Sequence, residues 1–122
     1  MVLIDTSVWI DHFVHADQTL QNMLTENEAV IHPFVTGELA CGNLKNRKEI
    51  FRLLNYLPSI QTITDEEYDF FIERHRLFET GLGFVDIHLL ASALMSHCLI
   101  YTRDKILFVA ANTLRIAYKN GH

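Results

Sequence analysis

Positive charge is missing from the first third of the chain. Residues 1–44 carry six carboxylates and no lysine or arginine, and all ten basic residues lie between Lys45 and Lys119. With a formal net charge of −5, this excludes a protein that coats nucleic acid through general positive charge. Cysteine is scarce. Cys41 and Cys98 are isolated and form no CxxC pair, so they read as reduced, buried thiols of a cytoplasmic protein. The seven histidines show neither HExxH nor a Cys/His finger spacing, which argues against a zinc site. No apolar run is long enough to span a bilayer, and no basic segment leads into a long apolar core as in a signal peptide. No membrane association is expected. Low-complexity tracts, linkers and internal repeats are also lacking.

What is present is an apolar, regularly punctuated chain. Its 122 residues, 49% apolar and 20% charged, fit a single globular domain over 1–122. A chain of this size buries roughly two-thirds of its unfolded surface. The first stretch, VLIDTSVWID, sets the pattern. Val2, Leu3 and Ile4 read as a short buried strand, and Asp5 ends it where a helix with Val8, Trp9 and Phe13 begins. Further short strands are expected at 29–32, 60–63, 98–102 and 114–118, separated by helices. Pro33 suits the first turn of one helix, Thr64 and Glu67 form a capping box before another, and DIHLLASALMSH is the most apolar helix. About five short strands alternating with helices predict an α/β fold with a mostly parallel sheet.

Four acids stand in unusually apolar or junction contexts. Asp5 follows VLI, Glu38 lies in FVTGEL, Asp86 opens the most apolar helix, and Asp104 follows CLIYTR. Each has an ordinary reading, as a helix cap or a surface acid. In a parallel sheet, however, the carboxyl ends of the strands share one edge, where ligands bind. If the four junctions share that edge, their carboxylates converge. Two like charges about 4 Å apart repel by about 4 kcal/mol at an effective dielectric of 20. Such a cluster takes up protons or a cation. Oxygen-only ligands favour Mg²⁺ or Mn²⁺ over zinc. A carboxylate-held Mg²⁺ orients a water and neutralises charge on a phosphodiester under attack. No Ser/His/Asp set or nucleophilic cysteine competes. His88, two residues beyond Asp86, faces elsewhere on a helix and reads as structural. Asp11, six residues beyond Asp5, reads as a surface acid.

The stretches LIDTSVWID, HPFVTGELACGNL, GLGFVDIHLLASAL and YTRDKIL together resemble PIN-domain ribonucleases, and more closely the VapC toxins of bacterial toxin–antitoxin pairs. They cover nearly the whole chain in the family's order. A lone DTS carries little weight; the four together are specific. The resemblance implies a PIN-like three-layer α/β/α sandwich and metal-dependent endoribonuclease activity, usually on structured RNA such as tRNA. Carried over position by position, the family's catalytic and metal-holding quartet falls on Asp5, Glu38, Asp86 and Asp104, and no position is lost. The supporting hydroxyls fall on Thr6, with Ser7 beside it, and on Thr102. The family varies at the fourth acid, so Asp104 either binds metal or orients a water. The resemblance also implies a homodimer and a VapB-type antitoxin whose tail lies across the site.

Three rival readings remain. A phosphorelay receiver domain needs paired acids after its first strand and an acid after its third, but here a single Asp5 precedes Thr6-Ser7 and the third ends QTIT. A haloacid-dehalogenase-type phosphatase needs DxD, and Ser7 occupies the third position. A catalytically inactive PIN-fold binding module is opposed by the intact quartet. The basic clusters read either as solvated helix faces or as a path for a phosphate backbone. The candidate RNA contacts are Arg47 with Lys48, and Arg103 with Lys105.

Overall fold

The computed structural model describes residues 1–119. Three short strands, β1 (Val2–Ile4), β2 (Ala29–Val30) and β3 (Leu99–Tyr101), form a parallel sheet in the order β2-β1-β3. Seven helices connect and cover the strands among the described residues: α1 (Thr6–Val14), α2 (Gln18–Thr25), α3 (Pro33–Ala40), α4 (Arg47–Tyr56), α5 (Asp65–His75), α6 (Phe84–Met95) and α7 (Lys105–Thr113). Every residue of β1 is buried. Successive residues of a strand point to opposite faces, so helices must cover both sides of the sheet. The result is the α/β/α layering. Leu3, Ile4, Trp9, Val35, Leu89, Leu90, Ile100 and Leu107 lie at its centre, each fully buried.

Two of the expected strands are reduced to single bridges. The 60–63 segment does not form a strand; Ile31 pairs in parallel with Ser59 just before it, through Ile31 N–H to Pro58 O and Ile60 N–H to Ile31 O. The 114–118 segment contributes only the bridge Ile100–Ala117. Pro58 and the left-handed Arg115 (φ 63°) interrupt the chain beside these pairings. Five parallel rows remain visible, the outer two held by one bridge each.

Local signals placed the helices well. Asp17 caps α2 through Leu20 N–H, and the Thr64–Glu67 box is formed in both directions. The helix begun by that box ends at His75, where Arg76 turns left-handed (φ 52°). Gly81 (φ 86°) then supplies the turn into α6, a conformation that side-chain-bearing residues rarely adopt. The expectation of two buried thiols is half right. Cys98 is buried, but Cys41 is exposed because it caps the solvent end of α3, and both are free. No helix among the described residues is long and apolar enough to cross a membrane.

Candidate active site

The deepest acid is Asp5, at the end of β1 and only 6% exposed. It occupies the N-cap position of α1 but makes no side-chain cap bond. Its Oδ2 accepts from Ser7 Oγ at 2.7 Å and from Thr102 Oγ1 at 2.7 Å. Both hydroxyls are themselves oriented by backbone donors: Arg103 N–H to Ser7 Oγ at 3.0 Å, and Asp104 N–H to Thr102 Oγ1 at 3.0 Å. Each hydroxyl has a single proton and directs it at the same carboxylate oxygen. Asp5 Oδ1 is left for other ligands. The segment after β3 is thus tied to the segment after β1 by side chains as well as by the sheet.

The other three acids lie nearer the surface. Asp86, in the first turn of α6, is half-buried and accepts from Gly83 N–H at 3.2 Å. Glu38 lies on the exposed side of α3 and accepts from Thr6 Oγ1 at 2.6 Å. Asp104 is exposed and caps α7 through Leu107 N–H at 3.0 Å. Burial pushes the Asp86 carboxyl above its ordinary pKa; the Gly83 amide opposes this, and the charges of Asp5, Asp104 and Glu38 push it further up. Asp86 thus comes within electrostatic reach of Asp5, Glu38 and Asp104, although the four acids lie far apart in the chain. Three of them sit at helix N-termini, where the partial positive charge offsets some of the repulsion.

None of the four pairs with a lysine or arginine among the described residues. An all-oxygen donor set with uncompensated negative charge fits a hard divalent cation. As the side chains stand, no group of three or more His, Cys, Asp or Glu among the described residues is arranged to hold an ion. Each carboxylate instead accepts from a donor within the protein: Asp5 from Ser7 and Thr102, Glu38 from Thr6, Asp86 from Gly83 N–H and Asp104 from Leu107 N–H.

The candidate RNA-binding bases divide into two kinds. Arg103 is engaged by two carboxylates, Asp11 at 2.9 Å and Asp17. Arg47 donates to Ala40 O at 2.8 Å and Gly42 O at 3.4 Å, closing the end of α3, and lies over the Phe51 ring. Both arginines are thus committed to the fold. Lys48 and Lys105 are exposed. The residue that sequence reasoning undervalued is Asp17. It is buried, and it joins the Leu20 amide, Tyr101 Oη at 2.8 Å and Arg103. Its partners lie 84 and 86 residues away, so only its capping role was visible locally. Asp11, read as a surface acid, is exposed but anchors Arg103.

Known proteins share the family and the fold of this chain. The PIN domain family matches residues 2–112. Ribonuclease VapC32 of Mycobacterium tuberculosis is 43% identical over 111 residues, 90% of both chains. Two solved structures share the fold at low identity. PAE2754 from Pyrobaculum aerophilum has a TM-score of 0.63 at 16% identity, covering 93% of this chain and 85% of that one. FitAcB from Neisseria gonorrhoeae has a TM-score of 0.64 at 18% identity, covering 98% and 97%. With a family match across most of its length and a relative this similar, the chain belongs to the PIN-domain family, among its VapC-type ribonucleases.

Proposed function

We propose that Asp5, Glu38, Asp86 and Asp104 form a divalent-metal site at which this endoribonuclease hydrolyses RNA phosphodiester bonds, as the toxin of a VapBC-type pair. The observation that carries the reading is the uncompensated acid cluster focused on Asp86. Mg²⁺ or Mn²⁺ held by these carboxylates would neutralise charge on the scissile phosphate and orient the attacking water. The chain's own residues prepare the site. Ser7 and Thr102 fix the Asp5 carboxylate in one orientation. Thr6 holds Glu38 on the rim, where a substrate too large to enter a pocket can reach it. Burial and the charges of Asp5, Asp104 and Glu38 hold the Asp86 carboxyl above its ordinary pKa, a cost that a bound cation would offset.

The exposed rim suits tRNA or another structured RNA. A VapB-type antitoxin has a fitting apolar seat between α1 and α4. This groove of about 740 Å³ is walled by Ile10, Phe13, Leu44, Ile50 and Leu53. A homodimer could use the second apolar cleft, where Leu82, Ile106 and Val109 lie between the end of α5 and α7. A cytoplasmic setting is part of this proposal, and the two free thiols are consistent with it.

The test is cleavage of labelled RNA by purified protein with Mg²⁺ or Mn²⁺ and with EDTA. Cleavage is expected with either metal and should vanish in EDTA; undiminished cutting in EDTA sinks the metal route. Sedimentation at micromolar concentration should give a dimer, and a monomer refutes that assembly.

A further inference from the structure

The cleft between the end of α5 and α7 differs in charge from the groove between α1 and α4, although each measures about 740 Å³. Lys45 and Glu49 both line the groove, one charge of each sign. The cleft is lined by His75, Arg76 and Lys105 and by no carboxylate among the described residues, in a chain of net charge −5. Burial and the neighbouring Arg74 charge push His75 below its ordinary pKa of 6.5, so at neutral pH the positive charge comes from Arg76 and Lys105. Both are exposed, and neither forms an ion pair among the described residues. Arg103 and Arg47, by contrast, are held by carboxylates and a backbone carbonyl. The Arg76 guanidinium lies over the Phe78 ring, 5.3 Å from its centroid. A guanidinium stacked in this way keeps its in-plane N–H donors for a phosphate.

Position selects the anion. Lys105 is the first residue of α7 and directly follows Asp104, the acid that caps that helix. Consecutive Cα atoms are about 3.8 Å apart, so the cationic edge of the cleft begins where the acid site ends. A strand with one phosphate at the acids carries further phosphates on either side of it. Towards residues 1–44 these meet six carboxylates and no lysine or arginine. Towards α7 they meet two cations without a counter-charge. The field therefore favours one direction for the strand over the other. We propose that Arg76 and Lys105 hold the phosphate backbone of the substrate RNA next to the scissile bond, so that the strand leaves the acids along the α5–α7 cleft. The proposal rests on the ribonuclease reading of the acid site and adds Arg76 as a residue that positions the substrate. The apolar side chains of the cleft are a separate feature, open to a second copy.

Binding of fluorescein-labelled tRNA over a series of salt concentrations tests it, in an Asp5→Asn background so that the RNA stays intact. Arg76→Gln should weaken binding about 10-fold at low salt, the loss expected for one charge-assisted hydrogen bond. It should also lower the slope of log affinity against log salt by roughly 0.9, the value for one phosphate contact on a duplex. Arg76→Lys keeps the charge and should keep the slope. Arg76→Gln combined with Lys105→Gln should lower the slope about twice as much as Arg76→Gln alone. A merely structural role would show in thermal melts without this stepwise change in slope.

An unchanged slope in Arg76→Gln overturns the proposal, as does a slope in Arg76→Lys as low as in the glutamine variant. A dimer lost in sedimentation with the slope intact overturns it in favour of a protein interface. Failure of the Arg76-intact parent to hold tRNA at any salt removes the substrate reading itself, and the backbone path with it. If Arg76→Gln unfolds the chain, Arg76→Lys and Lys105→Gln, matched by thermal melts, decide alone: a slope kept by the first and lowered by the second supports the path, and any other pair of slopes overturns it.

Discussion

Asp5 and Asp17 are buried to nearly the same degree, 6% and 7% exposed, but their surroundings differ in kind. Asp17 is fully compensated. Burial raises its pKa, but the Leu20 amide, the Tyr101 hydroxyl and the Arg103 guanidinium outweigh that and hold it below 3.8. Asp5 has only the hydroxyls of Ser7 and Thr102, and its charged neighbours are other acids. One aspartate is an anchor with its counter-charge built in. The other is close enough to Asp86 to raise its pKa and pairs with no lysine or arginine among the described residues. Acid content alone does not separate the two regions; the supply of cations and amide donors does.

The largest expected effect is on catalysis. Asp5→Asn and Asp86→Asn should each cut RNA cleavage by about 10³-fold or more, because metal-assisted charge stabilisation is worth several kcal/mol. Neither should lower stability in EDTA. Asp86 binds its proton more tightly folded than unfolded, so above its ordinary pKa its charge costs stability, and neutralising it should leave the melt unchanged or raise it. Mg²⁺ should raise the wild-type melting temperature more than that of either variant. If both variants lose a kcal/mol or more in EDTA and still cut RNA, the carboxylates are caps and the contrast collapses.

Asp17→Asn should show the reverse. Breaking a partly buried, solvent-screened ion pair should cost about 1–3 kcal/mol, with cleavage per folded molecule retained. The carboxylate has a depressed folded pKa, so its stabilisation is present above the unfolded value of 3.8 and is lost as pH falls through the folded one. Melts of wild type and variant should therefore converge below about pH 4. A gap that persists in acid would assign the effect to packing instead.

His32 tests whether the packing behind the acids has its own acid limit. It is fully buried, its Nδ1 accepts from Phe34 N–H, and burial pushes its pKa from 6.5 down to about 4, helped by neighbouring His88. The folded state resists protonation. Stability should be full above about pH 6.5 and fall towards pH 4, by roughly 3 kcal/mol at 1.36 kcal/mol per unit. His32→Asn keeps a cap for α3 and should flatten that part of the pH–stability curve.

The smallest effects separate the basic residues. Lys48→Ala and Lys105→Ala should each lower the salt slope of RNA binding by roughly one unit if the lysine neutralises one phosphate, with little change in melting. Arg47→Ala and Arg103→Ala should instead lower the melting temperature, because their guanidinium groups hold backbone carbonyls and carboxylates. Arginine variants that change the slope alone would place those two side chains on the substrate after all.

Several features were legible because their causes are local. The Thr64–Glu67 box, Pro33 at the start of α3 and the apolar run of β1 each depend on residues within one turn or one strand. The failures share a cause as well. Whether 60–63 and 114–118 become strands depends on how many pairings an edge position receives; one bridge formed at Ser59, just before the first, and one at Ala117 in the second. Arg103 looked like a free basic residue next to Asp104, until Asp17, 86 residues away, was brought against it.

The sequence by itself determined the alternation of strand and helix, the placement of an acid at three of the junctions, and the family motifs. These follow from hydrophobic period, capping chemistry and residue identity, all of which act over short spans. Tertiary structure alone decided that the sheet runs β2-β1-β3, so that the segments after β1 and β3 lie side by side. That adjacency lets Thr102 and Ser7 share Asp5, and lets Asp86 feel three acids from distant parts of the chain. Coulomb forces and hydrogen bonds depend on distance in space, which the order of residues along a chain does not specify.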